Sequence, residues 1–114
     1  MKISMRKIEN ITIIKLTGRL DASKSGHLLD QFNSLIEEGN KALAVDFADL
    51  DYISSSGLRI FLIVLKRLKT VEGRLVFFAM KEHVAEVFDL AGLSSHFPIC
   101  SSEEEALRAI RESS

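Results

Sequence analysis

Three consecutive serines, Ser54 to Ser56, are the residues of this chain best placed to do chemistry. They follow a strand that reads as buried and precede Gly57, at the start of a long apolar helix. The first turn of a helix leaves backbone N–H groups without intrahelical partners and carries the positive end of the helix dipole, so it favours an anion. A serine hydroxyl in this place can itself become an anion by phosphorylation. The serine run is therefore the first candidate for a functional site.

A structural role also accounts for these serines. Serines that precede an apolar helix are usually N-caps, and one such cap stabilises a helix by about 1 kcal/mol. One cap needs only one of the three hydroxyls, however, and Gly57 lacks a side chain that would keep the backbone of a partner at a distance. From residue chemistry alone, capping and regulation both stay open.

Composition and length exclude several classes of protein. The 114 residues suffice for one hydrophobic core, so we expect a single domain over 1–114. The net charge of −1, without a basic stripe, argues against direct binding to nucleic acid. Apolar runs such as Ile60 to Leu65 are too short for membrane insertion. A single cysteine, Cys100, cannot form an internal disulfide, which favours a cytoplasmic protein.

Hydrophobic periodicity and turn residues predict an α/β fold. The predicted elements are strands over 2–8 and 11–17, a helix over 22–38, a strand over 42–47, a helix over 56–70, a strand over 74–80, a helix over 82–91, a short extended piece near 96–99 and a helix over 103–112. A strand, a helix and a strand in succession imply a right-handed parallel crossover. We expect a small mixed sheet of about four to five strands, with about four helices packed largely on one face.

Two connections are predicted to meet at one edge of this sheet. Sites in open α/β sheets gather beyond the carboxyl ends of parallel strands, where the crossover helices begin. The Asp49–Gly57 connection belongs there, and so does the Leu20–Ser23 turn if its strand runs the same way. Asp21 could then lie close to Ser55, where a carboxylate can orient a hydroxyl or help to remove its proton.

The same segments carry a resemblance to a known family. They are Leu16-Thr17-Gly18-Arg19-Leu20-Asp21, Val45-Asp46-Phe47, Ser54-Ser55-Ser56-Gly57-Leu58 and Val87-Phe88-Asp89-Leu90-Ala91-Gly92-Leu93. Together they make the chain resemble STAS domains, specifically the stand-alone anti-sigma-factor antagonists of bacteria. The resemblance covers nearly the whole chain and implies the STAS fold.

The resemblance implies a reversible switch rather than an enzyme. An anti-sigma factor that is also a serine kinase would phosphorylate the protein with its own Mg-ATP, so this chain would need no cofactor. The unphosphorylated protein would bind that kinase and free a sigma factor, and a serine phosphatase would reset the system. Aligned on Gly57, the acceptor is Ser55, with Ser56 and Ser54 as alternatives. The partner-binding residues implied are Asp21, Ser54, Ser56, Gly57, Leu58 and Arg59.

Two positions depart from the family pattern. Ser54 stands where the family commonly has Asp, so a negative charge beside the acceptor is absent. Arg59 stands where these antagonists often have Gly. Its guanidinium could pair with a phosphate on Ser55 or Ser56.

Other interpretations stay open beside this one. The chain could be a STAS scaffold or interaction subunit, stressosome-like or transporter-associated, whose serines only cap the helix. The predicted helix over 56–70 is apolar around most of its circumference, which indicates either burial on both sides or a partner-binding surface. The histidines and Cys100 lack the spacing of a metal site, and no catalytic set is apparent.

Overall fold

Five strands in one mixed sheet form the centre of the fold. The structure is a computed structural model that describes residues 1–113, so Ser114, the last residue of the predicted domain, lies outside the described residues. The elements are β1 (Lys2–Ile8), β2 (Ile11–Leu20), α1 (Ala22–Glu37), β3 (Ala42–Ile53), α2 (Ser55–Thr70), β4 (Arg74–Phe78), α3 (Glu82–Leu90), β5 (Ile99–Cys100) and α4 (Glu103–Glu112). The sheet order is β1-β2-β3-β4-β5, with β1 antiparallel to β2 and the other pairs parallel. The predicted mixed α/β fold is confirmed.

The helices lie on both faces of the sheet, but unequally. In β4, Leu75 and Phe77 belong to the large core that also holds buried residues of α1, α2 and α3. Val76 and Phe78 alternate with them and belong to a smaller core with Ala106 of α4. Successive right-handed crossovers that move in one direction across a sheet place their helices on the same face. Three helices therefore cover one face, as predicted, and α4 covers part of the other.

An aromatic cluster attaches α2 to the sheet. The ring of Phe61 in α2 lies 5.6 Å from that of Phe47 in β3 and 5.0 Å from that of Phe77 in β4, between centroids. The ring of Phe88 in α3 lies 5.6 Å from that of Phe77. Pairs at these separations and tilts add to the stabilisation from burial alone. The position of α2, and of the serines at its start, is therefore set by a rigid core.

The predicted end of the central strand is wrong. The sequence predicts this strand over 42–47 followed by an acidic connection, but β3 continues to Ile53 and pairs with β2 as far as Leu20. Register shifts in this pairing keep Leu50 and Ile53 buried while Asp51 between them stays exposed. The acidic stretch is therefore part of a half-exposed strand. Smaller differences are that β2 ends at Leu20 rather than 17, α2 begins at Ser55 rather than 56 and β4 ends at Phe78 rather than 80.

Most of the apolar circumference of α2 is buried inside the fold. Its buried side chains include Ile60, Phe61 and Val64, so the helix faces both the sheet and its neighbours. Ile63 is 40% exposed and lies one turn from Arg59, which is exposed. Burial on both sides thus accounts for most of the apolar pattern, and a narrow outer strip stays accessible. Among the described residues, no helix combines the length and hydrophobicity needed to cross a bilayer.

Candidate functional site

The starts of α1 and α2 lie side by side at one edge of the sheet. Leu20, at the end of β2, pairs with Ile53, at the end of β3. The N–H of Ser54 donates a hydrogen bond to the carbonyl of Leu20, with 2.9 Å between N and O. Because the two strands are parallel, their carboxyl ends lie at the same edge of the sheet. Each helix begins two residues after the strand that precedes it. The structure thus brings together two turns that are about thirty residues apart in the chain.

Ser54 is the N-cap of α2. Its backbone is extended, with φ −86° and ψ 169°, and its Oγ accepts from the N–H of Gly57 at 3.1 Å. Its carbonyl accepts from the N–H of Leu58 at 3.0 Å, which begins the helical hydrogen-bond pattern. This geometry satisfies one of the N–H groups that every helix start leaves unpaired. The capping role therefore falls to Ser54.

Ser56 is held by two other hydroxyls. Its Oγ lies 3.1 Å from Oγ of Ser54 and 3.2 Å from Oγ of Ser25 in α1. Ser25 is 5% exposed, and its Oγ also lies 3.1 Å from the carbonyl oxygen of Asp21. The hydroxyl of Ser25 donates to Oγ of Ser56 and shares its proton with the carbonyl oxygen of Asp21, whereas either serine can be the donor between Ser54 and Ser56. These hydroxyls form a network that connects the first turns of α1 and α2.

Ser55 differs from the serines on either side of it. Its side chain is exposed, and within residues 1–113 its hydroxyl has no hydrogen-bond partner. It occupies the first position of α2, where its N–H has no intrahelical acceptor and the helix dipole favours negative charge. The structure therefore leaves one hydroxyl of the three available to an outside reactant.

Asp21 is the N-cap of α1, and its carboxylate is engaged there. Oδ1 accepts from the N–H of Ser23 at 3.0 Å and from the hydroxyl of Ser23 at 2.6 Å. The hydrogen bond from the Ser23 hydroxyl is the main reason that the pKa of Asp21 lies below its usual value, so this carboxyl stays ionised. In the described part of the chain the carboxylate makes no hydrogen bond to Ser55. Its connection to the serine run goes through its backbone carbonyl and Ser25.

Gly57 and Leu58 are buried beneath the serines. A Cβ atom on Gly57 would lie 2.9 Å from Cγ of Leu20 and 3.0 Å from Cγ1 of Ile53, both closer than side chains normally approach. The absence of a side chain thus lets α2 pack directly on the ends of β2 and β3. Leu58 is 7% exposed and belongs to the large core. These two residues hold the backbone that presents Ser55.

Charged groups surround the site. Arg59 lies one turn after Ser55 on α2 and is exposed, so its guanidinium lies on the same side of the helix. At the end of β3, Lys81 pairs with the carboxylate of Asp51, and this hydrogen bond is the main cause of the lowered pKa of Asp51. Within residues 1–113, no three His, Cys, Asp or Glu side chains are grouped as a metal ion would require.

Arg19 and Tyr52 form a second exposed pair beside the site. The guanidinium carbon of Arg19 lies 4.2 Å from the centroid of the Tyr52 ring, in cation–π contact. Tyr52 is 39% exposed and is separated from Ser54 by one residue. The sequence pattern did not indicate this pair, because the predicted strand ends before residue 52. Nor did it indicate Ser25, although a polar residue at a core-facing position of α1 is a signal that could have been noticed.

Comparisons with known proteins agree with this architecture. Residues 2–106 match the family model of the STAS domain. BtrV of Bordetella bronchiseptica, provisionally named an anti-sigma factor antagonist, is 38% identical over 111 residues, which are 97% of this chain and 96% of BtrV. The anti-sigma factor antagonist SpoIIAA in its unphosphorylated form superposes with a TM-score of 0.85 at 24% identity, over 97% of each chain. The Bacillus cell fate determinant SpoIIAA in its phosphorylated form gives a TM-score of 0.75 at 22% identity, over 96% of this chain and 99% of that one.

Proposed function

The chain belongs to the STAS domain family, and we propose that it is an anti-sigma-factor antagonist switched by phosphorylation of Ser55. In this proposal the unphosphorylated protein binds an anti-sigma factor that is also an ATP-dependent serine kinase, and a sigma factor is released. Phosphorylation of Ser55 ends the binding, and a serine phosphatase in the same cytoplasm restores it. The protein acts as a binding partner rather than as an enzyme.

One observation carries the proposal, namely the different states of the three serine hydroxyls. Ser54 is used as a cap, Ser56 is held between two hydroxyls, and Ser55 is exposed without a partner in the described structure. A purely structural role accounts for Ser54 and Ser56 but leaves the exposed hydroxyl of Ser55 without a function. The similarity to BtrV over nearly the whole of both chains supports the same general role.

The phosphoryl transfer requires little from this chain beyond an accessible hydroxyl. Oγ of Ser55 attacks the γ-phosphorus of ATP bound to the kinase, and an O–P bond forms. The bond between the γ-phosphorus and the oxygen that bridges to the β-phosphate breaks, and ADP leaves. Because the Asp21 carboxylate is already engaged by Ser23, we assign the acceptor of the hydroxyl proton to the kinase.

Charge explains how one phosphate would change binding without refolding. A phosphoserine carries about −1.5 to −2 charges at neutral pH. In the free protein the start of α2 and the exposed Arg59 would stabilise this charge. In the complex the same phosphate would be buried against the kinase, where desolvation and repulsion are costly. The fold of SpoIIAA has been solved in both forms, which supports such a switch in this architecture.

The partner-binding surface that we propose surrounds Ser55. Arg59 is exposed, and Asp21, Ser54 and Ser56 are partly exposed, so all four can contact a docked protein. Gly57 and Leu58 are buried and would act indirectly, by holding in place the backbone that carries Ser55.

A second candidate function is a scaffold that is never phosphorylated. The complete cap and hydroxyl network at Ser54 and Ser56 favour it, since these contacts need no regulatory explanation. In that case Ser55 would be an ordinary surface residue of a binding module.

Phosphorylation and binding assays separate the two functions. The full chain, Ser55→Ala and Ser55→Asp would each be incubated with the candidate anti-sigma kinase and Mg-ATP. Ser34→Ala, which removes an exposed hydroxyl further along α1, is the matched control. We expect one added phosphate by intact mass in the wild type and in Ser34→Ala, none in Ser55→Ala, and weak kinase binding by Ser55→Asp.

Two results would contradict the proposal in different ways. Phosphate on Ser54 or Ser56 of the wild type would refute the assignment of the residue while leaving the class of function in place. An unmodified wild type, together with full binding by Ser55→Asp, would favour the scaffold.

A further inference from the structure

We propose that Ser25 directs phosphorylation to Ser55 rather than to Ser56, because its hydroxyl is hydrogen-bonded to the hydroxyl of Ser56. Ser25 would be a positioning residue, with no contact to the reacting atoms. The inference rests on the proposed function, since it concerns the selectivity of the same phosphoryl transfer.

Position along the chain does not by itself protect Ser56. Neighbouring residues of an α-helix differ by about 1.5 Å in rise and about 100° in direction. Ser56 is also partly exposed, so its surface is not fully covered by the fold. The difference in direction turns Ser56 away from a γ-phosphate presented to Ser55, but the small rise leaves its hydroxyl within reach once that side chain is free to rotate. Selective phosphorylation of Ser55 therefore requires a further restraint on Ser56.

The hydrogen bonds between the hydroxyls supply that restraint. To accept a phosphoryl group, Ser56 must direct an oxygen lone pair at phosphorus and give up its proton. Its Oγ is instead held 3.2 Å from Ser25 and 3.1 Å from Ser54, so it would have to leave both partners before it could react. Ser25 is suited to holding it, because it is 5% exposed and is itself fixed by the carbonyl of Asp21 at 3.1 Å. Ser54 is restrained separately by its cap to Gly57.

Removal of the Ser25 hydroxyl should release Ser56 without disturbing the fold. Alanine favours a helix and is smaller than serine, so Ser25→Ala fits its buried position. Ser56 then retains one hydroxyl partner of two and gains rotamer freedom toward the surface. It should become a second acceptor, and the main one when Ser55 is absent.

Site mapping tests this directly. Wild type, Ser25→Ala, Ser55→Ala and the double variant Ser25→Ala/Ser55→Ala would be phosphorylated by the same kinase, and the phosphate on each serine quantified by tandem mass spectrometry. We expect a rise of roughly fivefold or more in the phosphate on Ser56 when Ser25 is replaced, which is the factor that one lost hydrogen bond supplies. Ser34→Ala is the control, because Ser34 is an exposed serine of the same helix that lies nine residues after Ser25.

A measurement without kinase tests the contact itself. In urea unfolding, the loss in midpoint for Ser25→Ala/Ser56→Ala should be smaller than the sum of the losses for the two single variants, because both remove one interaction. Additive losses would overturn the proposal.

The outcomes distinguish this inference from the proposed function. Phosphate confined to Ser55 in Ser25→Ala, with none on the double variant, would overturn the role of Ser25 and leave the switch at Ser55 intact. A wild type that takes up no phosphate at all would overturn both.

Discussion

Gly57 packs against Leu20 more closely than any other residue type would allow. A Cβ atom at position 57 would come within 2.9 Å of Cγ of Leu20, and two further side-chain carbons lie at 3.0 Å. Leu20 is fully buried at the end of β2, so it has little room to move. This contact sets the distance between the start of α2 and the sheet, and with it the position of Ser55.

Gly57→Ala should therefore destabilise the protein, although alanine is the better helix former. We expect a loss of about 1–3 kcal/mol in the free energy of unfolding, from overpacking against Leu20 and Ile53. Urea denaturation followed by circular dichroism would measure it. Gly26→Ala is the matched control, because a Cβ atom at Gly26 in α1 meets nothing within 4 Å. It should stabilise the protein by about 0.5–1 kcal/mol. Equal effects of the two changes would disprove the close packing.

The capping role of Ser54 makes a second prediction. Ser54→Ala should lower the free energy of unfolding by about 0.5–2 kcal/mol, because the N–H of Gly57 loses its acceptor. Ser54→Asp should keep the cap, since a carboxylate accepts the same hydrogen bond and favours the helix dipole. Ser55→Ala, which removes a hydroxyl without a partner in the described structure, should change stability by less than about 0.5 kcal/mol. A larger effect of Ser55→Ala than of Ser54→Ala would reverse the assignment of the two roles.

Acid should destabilise the protein partly through the cap of α1. The pKa of Asp21 is lowered in the folded state, chiefly by the hydrogen bond from the Ser23 hydroxyl. A carboxyl with a lowered pKa contributes stability that is present above its unfolded pKa of about 3.9 and is lost as the pH falls through its folded pKa. Unfolding free energies measured by urea titration should therefore decrease below about pH 4.

Asp21→Asn is the informative variant for this test. Asparagine is an equally good N-cap but does not titrate, so the decrease in acid should become smaller while stability near pH 7 changes little. An unchanged acid dependence in Asp21→Asn would show that other carboxyls, such as Asp51 and Glu105 with their lowered pKa values, account for the whole effect.

Elements whose signals are local could be predicted from the sequence. The last helix is predicted over 103–112 and is found at Glu103–Glu112, because a capping serine, an acidic first turn and an inward apolar stripe all lie within it. The strand–helix–strand order likewise predicts parallel pairing through the handedness of the crossover. The serine run also stands out as the candidate site, because hydroxyls before an apolar helix meet unpaired N–H groups whatever the tertiary fold.

The tertiary structure decided where β3 ends and what each serine does. The residues after 47 form a strand because they pair with the end of β2, which lies far away in the chain. The sequence run contains three chemically identical hydroxyls, and short-range rules do not rank them. Ser25, thirty-one residues before Ser56, separates them by a contact that exists only once α1 and α2 start side by side. Chemical type is a property of the residue, whereas the accessibility of a hydroxyl depends on neighbours that folding brings from elsewhere in the chain.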